Sequence, residues 1–146
     1  MAITTAMCTS FKSELLGGTH DLDTHTIKLA LIKASPSGTY NAATTNYSDV
    51  TGNSDEATGS GYSAGGQNLD GATISVDGTT AIVDFTDEVF SSSTISADGC
   101  IIYNSSASNK AICVIDFGGT KTSTSGDFTI QFPAAGASTA IIRIAS

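Results

Sequence analysis

The stretch "CIIYNSSASNKAICVIDF", Cys100 to Phe117, decides how the chain is read. Ile101 and Tyr103 alternate with Cys100 and Ile102, "SSASNK" turns the chain, and Ala111 to Phe117 brings it back. Alternating apolar runs on either side of a short polar turn are the mark of paired antiparallel strands. Asp116 stands beside Phe117, where a catalytic carboxylate at a strand end would stand. No second group gathers around it, so it reads as a rim residue marking where the return strand leaves the core.

The same period of two continues outward. In "ATISVDGTTAIVDF", Ile74 and Val76 precede Asp77-Gly78, and Ala81, Val83 and Phe85 follow. Asp-Gly between alternating runs predicts a tight hairpin turn. "HTIKLALIKA" sets Ile27, Leu29 and Leu31 on one face, with Lys28, Ala30 and Ile32 on a second, partly buried face. "DFTIQF" supplies a further strand carrying Phe128, Ile130 and Phe132, stopped by Pro133, and "STAIIRIAS" closes the series. The expected core is Ile27, Leu29, Leu31, Ile74, Val76, Val83, Phe85, Ile101, Val114, Phe128, Ile130 and Phe132. The fold class is therefore all-β: an antiparallel β-sandwich of about seven or eight strands with a short N-terminal helix.

That helix is placed over residues 4–16. Met7, Phe11 and Leu15 recur at intervals of four, Cys8 widens the stripe, and Gly17-Gly18 supplies a stop. Thr4 or Thr5 is the expected cap. The stripe packs either on one end of the β domain or on a neighbouring subunit, so Met7, Phe11 and Leu15 are candidate interface residues. From residue 40 to 66 the chain is poor in hydrophobics, and too long for a routine turn. It reads as an extended polar arm or contact loop, with Tyr40, Tyr47 and Tyr62 as candidate contact residues, because tyrosine offers large area at modest entropic cost. Residues 25–146 form the sandwich, and 1–146 read as a single domain, a length sufficient for one core.

Bulk properties narrow the function. Fourteen acidic against six basic residues give a formal net charge of -8, with no Lys/Arg cluster, so no nucleic-acid groove is expected. With only 14% charged residues, the surface relies on 20 Ser and 21 Thr, which lose little rotamer entropy when an interface forms. No apolar run reaches membrane-spanning length, and the opening residues do not resemble a signal peptide. Cys8, Cys100 and Cys113 match no metal spacing and read as small buried hydrophobes, although Cys100 and Cys113 could approach on paired strands. The sequon-like Asn46-Tyr47-Ser48 and Asn104-Ser105-Ser106 are read as chance.

Five constellations could carry chemistry. His20, Asp21, Asp23 and His25 offer nitrogen and oxygen ligands, but also suit a helix-to-strand junction. Asp49, Asn53, Asp55 and Glu56 are oxygen-rich without the calcium-loop order. Asp84 and Asp116 would make a carboxylate pair of the glycosidase kind if their strands aligned. Gly59, Gly61, Gly65 and Gly66 resemble a phosphate loop in composition only, and more simply allow bends. A Cys8–histidine nucleophile would have to sit on the apolar stripe. No catalytic, metal or cofactor residues are assigned.

"MAITTAMCTSFKSELLGGTHD", "GSGYSAGG", "DGTTAIVDF", "IIYNSSASNKAICVIDFG", "STSGDFTIQFP" and "AIIRIAS" together resemble a family of small virion structural proteins of tailed bacteriophages. The resemblance implies a noncatalytic protein made in the host bacterial cytoplasm and built into a virion. It implies self-association and contact with other virion proteins such as the major capsid protein. The compact length, low charge and polar segment fit a capsid decoration role. A tail, collar or fibre-associated subunit is the alternative. A carbohydrate-binding β-sandwich module is a third reading, with Tyr40, Tyr47 and Tyr62 as glycan-stacking surfaces, weakened by the absence of Trp.

Overall fold

The computed structural model describes residues 2–145. Its centre is one long hairpin, β6 (Glu88–Asn104) and β7 (Lys110–Ile130), paired antiparallel from Asn104↔Lys110 to Glu88↔Ile130. The turn is built by Asn104, whose side-chain oxygen accepts from the N–H groups of Ser106 and Ala107 and caps a short 3-10 turn, Ser105–Ala107. Ser108 and Asn109 then take left-handed conformations that reverse the chain.

β2 (Ile27–Lys33) pairs antiparallel with the other side of β6, and β3 (Gln67–Asn68) with β2. β1 (Ala6–Met7) adds to β7, giving a five-stranded sheet in the order β1-β7-β6-β2-β3. A second sheet contains β4 (Thr73–Asp77), β5 (Thr80–Asp84) and β8 (Ile142–Ile144), in the order β4-β5-β8. Val83, Phe85 and Ile142 from the small sheet and its flank join Leu29, Leu31, Ile101, Val114 and Phe128 in one core. The fold is thus mostly β, two sheets of five and three strands with one short N-terminal helix, as the alternating patterns predict.

Several local expectations change. The helix α1 is Thr9–Leu16, not 4–16. Residues before it are extended because the edge of β7 offers backbone partners: Ala6 and Met7 pair with Val114 and Cys113, and Cys8 donates its N–H to the Ile112 carbonyl. Cys8, rather than Thr4 or Thr5, occupies the N-cap, and its side chain makes no capping bond. Gly17 and Gly18 end the helix as expected, Gly18 at φ 79°.

β7 does not leave the core at Asp116. Asp116 pairs with Gly99 in mid-strand, and the chain bends through Gly118 and Gly119, both with positive φ, and runs on to Ile130. The two strands expected at 111–117 and 127–132 are therefore largely one. The hairpin turn lies one residue later than Asp77-Gly78: Asp77 pairs with Thr80, so Gly78 and Thr79 form the loop, with Gly78 at φ 63°.

Ten of the twelve expected core residues are buried; Ile74 and Val76 are exposed at 54% and 71%. Their phase matches the inward face, since Ile74 is opposed to buried Val83, but among the described residues nothing covers that end of the small sheet. Conversely, Ala30 and Ile32 are wholly buried, because the 40–66 segment lies over the second face of β2. Among the described residues no helix is long and apolar enough to cross a membrane.

Candidate functional site

The segment 40–66 is not an extended arm. It folds back on the large sheet, includes a short helix α2 (Ser48–Gly52), and bridges both neighbours, Glu56 to Ile32 and Asn46 to Lys110. Two adjacent carboxylates hold it. Asp55 is completely buried and accepts from the N–H groups of Ser37 (2.9 Å) and Gly38 (2.7 Å), the hydroxyl of Ser37 (3.1 Å) and the hydroxyl of Tyr40 (2.6 Å). Lys33 Nζ lies 3.1 Å away and completes the set. Burial alone would raise the Asp55 pKa, but the bonds from Tyr40, Ser37, Gly38 and Lys33 outweigh it and hold the carboxyl well below the usual range.

Glu56 faces the other way. Its two oxygens accept from Tyr47 (2.6 Å), Tyr62 (2.7 Å) and the Gly65 N–H (2.6 Å). The Tyr62 oxygen also accepts from the Leu31 N–H at 3.0 Å, tying the segment to β2. All three tyrosines expected at an interface thus donate to this carboxylate pair. Tyr40 is fully buried; Tyr47 stacks on Tyr103 at 4.5 Å, and Tyr62 lies against Phe90 at 5.4 Å. The ring faces expected to hold a glycan are engaged within the chain. Burial, then the bond to the Asp55 carboxylate, pushes Tyr40 up to about 12; burial, then Glu56, pushes Tyr47 and Tyr62 higher still.

The glycines of "GSGYSAGG" permit this close approach. Gly59, Gly61, Gly65 and Gly66 all have positive φ. A Cβ on Gly66 would collide with the Leu29 carbonyl, and one on Gly59 with the Thr94 carbonyl. They are bend and contact residues; no phosphate loop forms.

The remaining constellations are absorbed into local structure. Asp49 accepts from the N–H groups of Thr45 and Asn46, and Asn53 donates to the Asp49 carbonyl and to Tyr40, so the oxygen-rich loop ties itself together. Asp21 accepts from the N–H groups of Asp23 and Thr24 at the junction before β2. His20 and His25 do converge, but on Asn104: with its oxygen occupied by the 3-10 turn, the Asn104 amide donates to Nδ1 of His20 (3.0 Å) and of His25 (2.9 Å). His20 Nε2 is 3.0 Å from Glu14. Among the described residues no group of three or more potential metal ligands is present. Asp84 and Asp116 lie in different sheets and form no pair.

Cys8, Cys100 and Cys113 are free and buried. Cys100 pairs with Ile115 and Cys113 with Ile102, two steps out of register with each other. Burial, reinforced by Asp49 and Glu14, pushes Cys8 up to about 12, so it is a poor nucleophile. Of the helix stripe, Phe11 is fully buried and packs on His20 at 4.9 Å, while Met7 and Leu15 are partly buried against the core. The helix covers one end of the β domain.

What the chain leaves open is elsewhere. On the small sheet, Ile74, Val76, Ala81, Val83, Ile142 and Ile144 share one face, since Ile74↔Val83↔Ile142 and Val76↔Ala81↔Ile144 are directly opposed. Its inner part joins the core; its outer part, with Ile144 51% exposed, lines an open groove of about 390 Å³ with Leu15, His20 and Leu22. The period of two assigns Ile74 and Val76 to the inward face, and only their missing cover distinguishes them from core residues. Comparison of the chain with protein-family models, with curated proteins and with solved structures returns no match.

Proposed function

We propose that the chain is a noncatalytic structural subunit of a tailed-bacteriophage virion, made in the bacterial cytoplasm, that decorates the head by contact with the major capsid protein. The sequence blocks quoted above support the virion assignment. The observation that carries a structural role is the division of labour in the molecule. Most of its candidate chemical groups are engaged in internal hydrogen bonds, whereas an apolar sheet face and a strand edge remain open among the described residues. A surface of Ser and Thr with few long charged side chains suits packing into a repeated lattice at low entropic cost.

Quantitative mass spectrometry of purified virions, with a map of the intact particle, tests the reading. A head decoration protein should appear in numbers comparable with the capsomers and as density on the shell. A ring or spike of few copies at the neck or tail would make it a tail or collar subunit instead. Its absence from purified particles would overturn the proposal.

A further inference from the structure

We propose that β4 is a self-pairing edge, through which two copies of this chain join antiparallel about a two-fold axis at Ser75, merging their three-stranded sheets into one. This rests on the strand itself and not on the virion reading.

An unpaired strand edge is a hazard that proteins normally blunt with short length, Lys, Pro, bulges or kinks. The other edges here carry such devices. β1 and β3 are two residues long, and β8 has three residues including Arg143. The long outer edge of β7 is bent by Gly118-Gly119, carries Lys121, and has Ser125 in a left-handed conformation. β4 has no Lys, Pro, bulge or kink, and its single charge, Asp77, sits at the turn end and accepts from the Ala137 N–H. Thr73, Ile74, Ser75, Val76 and Asp77 are all exposed and in unbroken register with β5.

Its hydrogen-bonding parity is set by the turn. A two-residue loop makes Asp77↔Thr80 a hydrogen-bonded pair, and such pairs alternate along an antiparallel ladder. Ser75↔Ile82 and Thr73↔Asp84 are then bonded too, so the N–H and C=O groups of Ile74 and Val76 point away from β5. Those same two residues carry the exposed apolar side chains.

Antiparallel pairing centred on Ser75 sets Ile74 opposite Val76 of the second copy, and Val76 opposite Ile74. Both pairs are of the bonded kind, giving four new backbone hydrogen bonds. On one face the apolar row Ile74, Val76 continues unbroken across the axis. On the other, Asp77 faces Thr73 of the second copy, while the two Asp77 side chains stand roughly 13 Å apart, beyond the Debye length at physiological salt. The strand is therefore self-complementary in bonding, apolar contact and charge. A partner strand bearing acids opposite Asp77 would not be.

Sedimentation velocity of the full chain over a range of concentrations is the test. The expected result is a monomer–dimer equilibrium that tightens as salt rises, because both copies carry net negative charge and the contact row is apolar. Val76→Pro removes an N–H that makes no bond within the chain and should weaken dimerisation at least about tenfold while circular dichroism is unchanged. Ile74→Lys, an edge-charging change, provides the same reading should the proline variant not fold. Ser75→Cys places two thiols across the axis in a non-bonded pair, with Cα atoms about 4.5 Å apart, inside the span of a disulfide, so mild oxidation should link the dimer. The native cysteines are buried and should not compete. A monomer at every concentration, a dimer indifferent to Val76→Pro and Ile74→Lys, or a dimer that Ser75→Cys does not link would each overturn the proposal.

Discussion

Replacing Asp55 with Asn should release the 40–66 segment from the sheet while changing almost no volume. One oxygen of Asp55 receives the Ser37 N–H, the Ser37 hydroxyl and Lys33; the other receives the Gly38 N–H and the Tyr40 hydroxyl. An asparagine can keep one of these sets, but its amide N–H₂ must then confront the donors of the other. The Gly38 N–H, 2.7 Å from the carboxylate and fixed in the backbone, is the group with fewest alternatives. Tyr40 can turn toward the Asp49 carbonyl at 3.5 Å, and Lys33, 38% exposed, can reach water. The loss therefore falls at the lower end of the 3–5 kcal/mol typical of breaking a buried charge pair, about 3 kcal/mol. With a urea m-value of roughly 2 kcal/mol/M, the unfolding midpoint should fall by about 1.5 M. The pH dependence supplies a second reading. The Asp55 pKa is lowered by folding, so its contribution is fully present above the unfolded value near 3.8 and is lost as pH falls below it. Wild type should lose this part of its stability on acidification, and Asp55→Asn should lack that loss. A variant whose urea midpoint matches wild type, or whose acid profile is unchanged, would refute the assignment of Asp55 as the anchor.

Two further perturbations probe the same segment. Tyr40 and Tyr103 are pushed to about 12, and Tyr47 and Tyr62 higher, chiefly by burial, so tyrosinate absorbance should stay low through pH 10. Because these pKa values are raised by folding, the stability they contribute is present below pH 10 and lost as pH rises toward 12; ordinary titration near 10 with the fold intact would contradict the packing. Gly66→Ala should destabilise by more than about 3 kcal/mol, since it adds a backbone collision at Leu29 to the cost of positive φ. Gly78→Ala, at similar φ with open space around it, should cost about 1 kcal/mol, so equal midpoints in urea would count against the close approach.

Much of the fold was legible because a strand half-buried in a sheet carries its own record in period two. "CIIYNSSASNKAICVIDF" and "TISVDGTTAIVDF" identified their hairpins, and Leu29, Leu31, Ile101 and Phe128 went to the core as read. Periodicity gives the phase of a strand, but cover is a property of whatever else lies nearby. Ile74 and Val76 have the right phase and no cover, so composition could not tell an edge from a core strand. For the same reason Met7 looked helical by its spacing to Phe11, until the edge of β7 offered its backbone a better partner. Segment 40–66 shows the converse limit. Its polarity signalled a loop, and a loop rich in tyrosine looked like a surface for others. Only the tertiary structure could show that Asp55 and Glu56 gather the hydroxyls of Tyr40, Tyr47 and Tyr62 as the segment folds back on itself. A hydrogen bond depends on where two groups meet in space, and no local pattern records that. The sequence by itself determined the two hairpins, the alternation of most strands and most of the inward faces; the tertiary structure decided where strands and turns begin and end, which polar residues face inward and which apolar ones stay open.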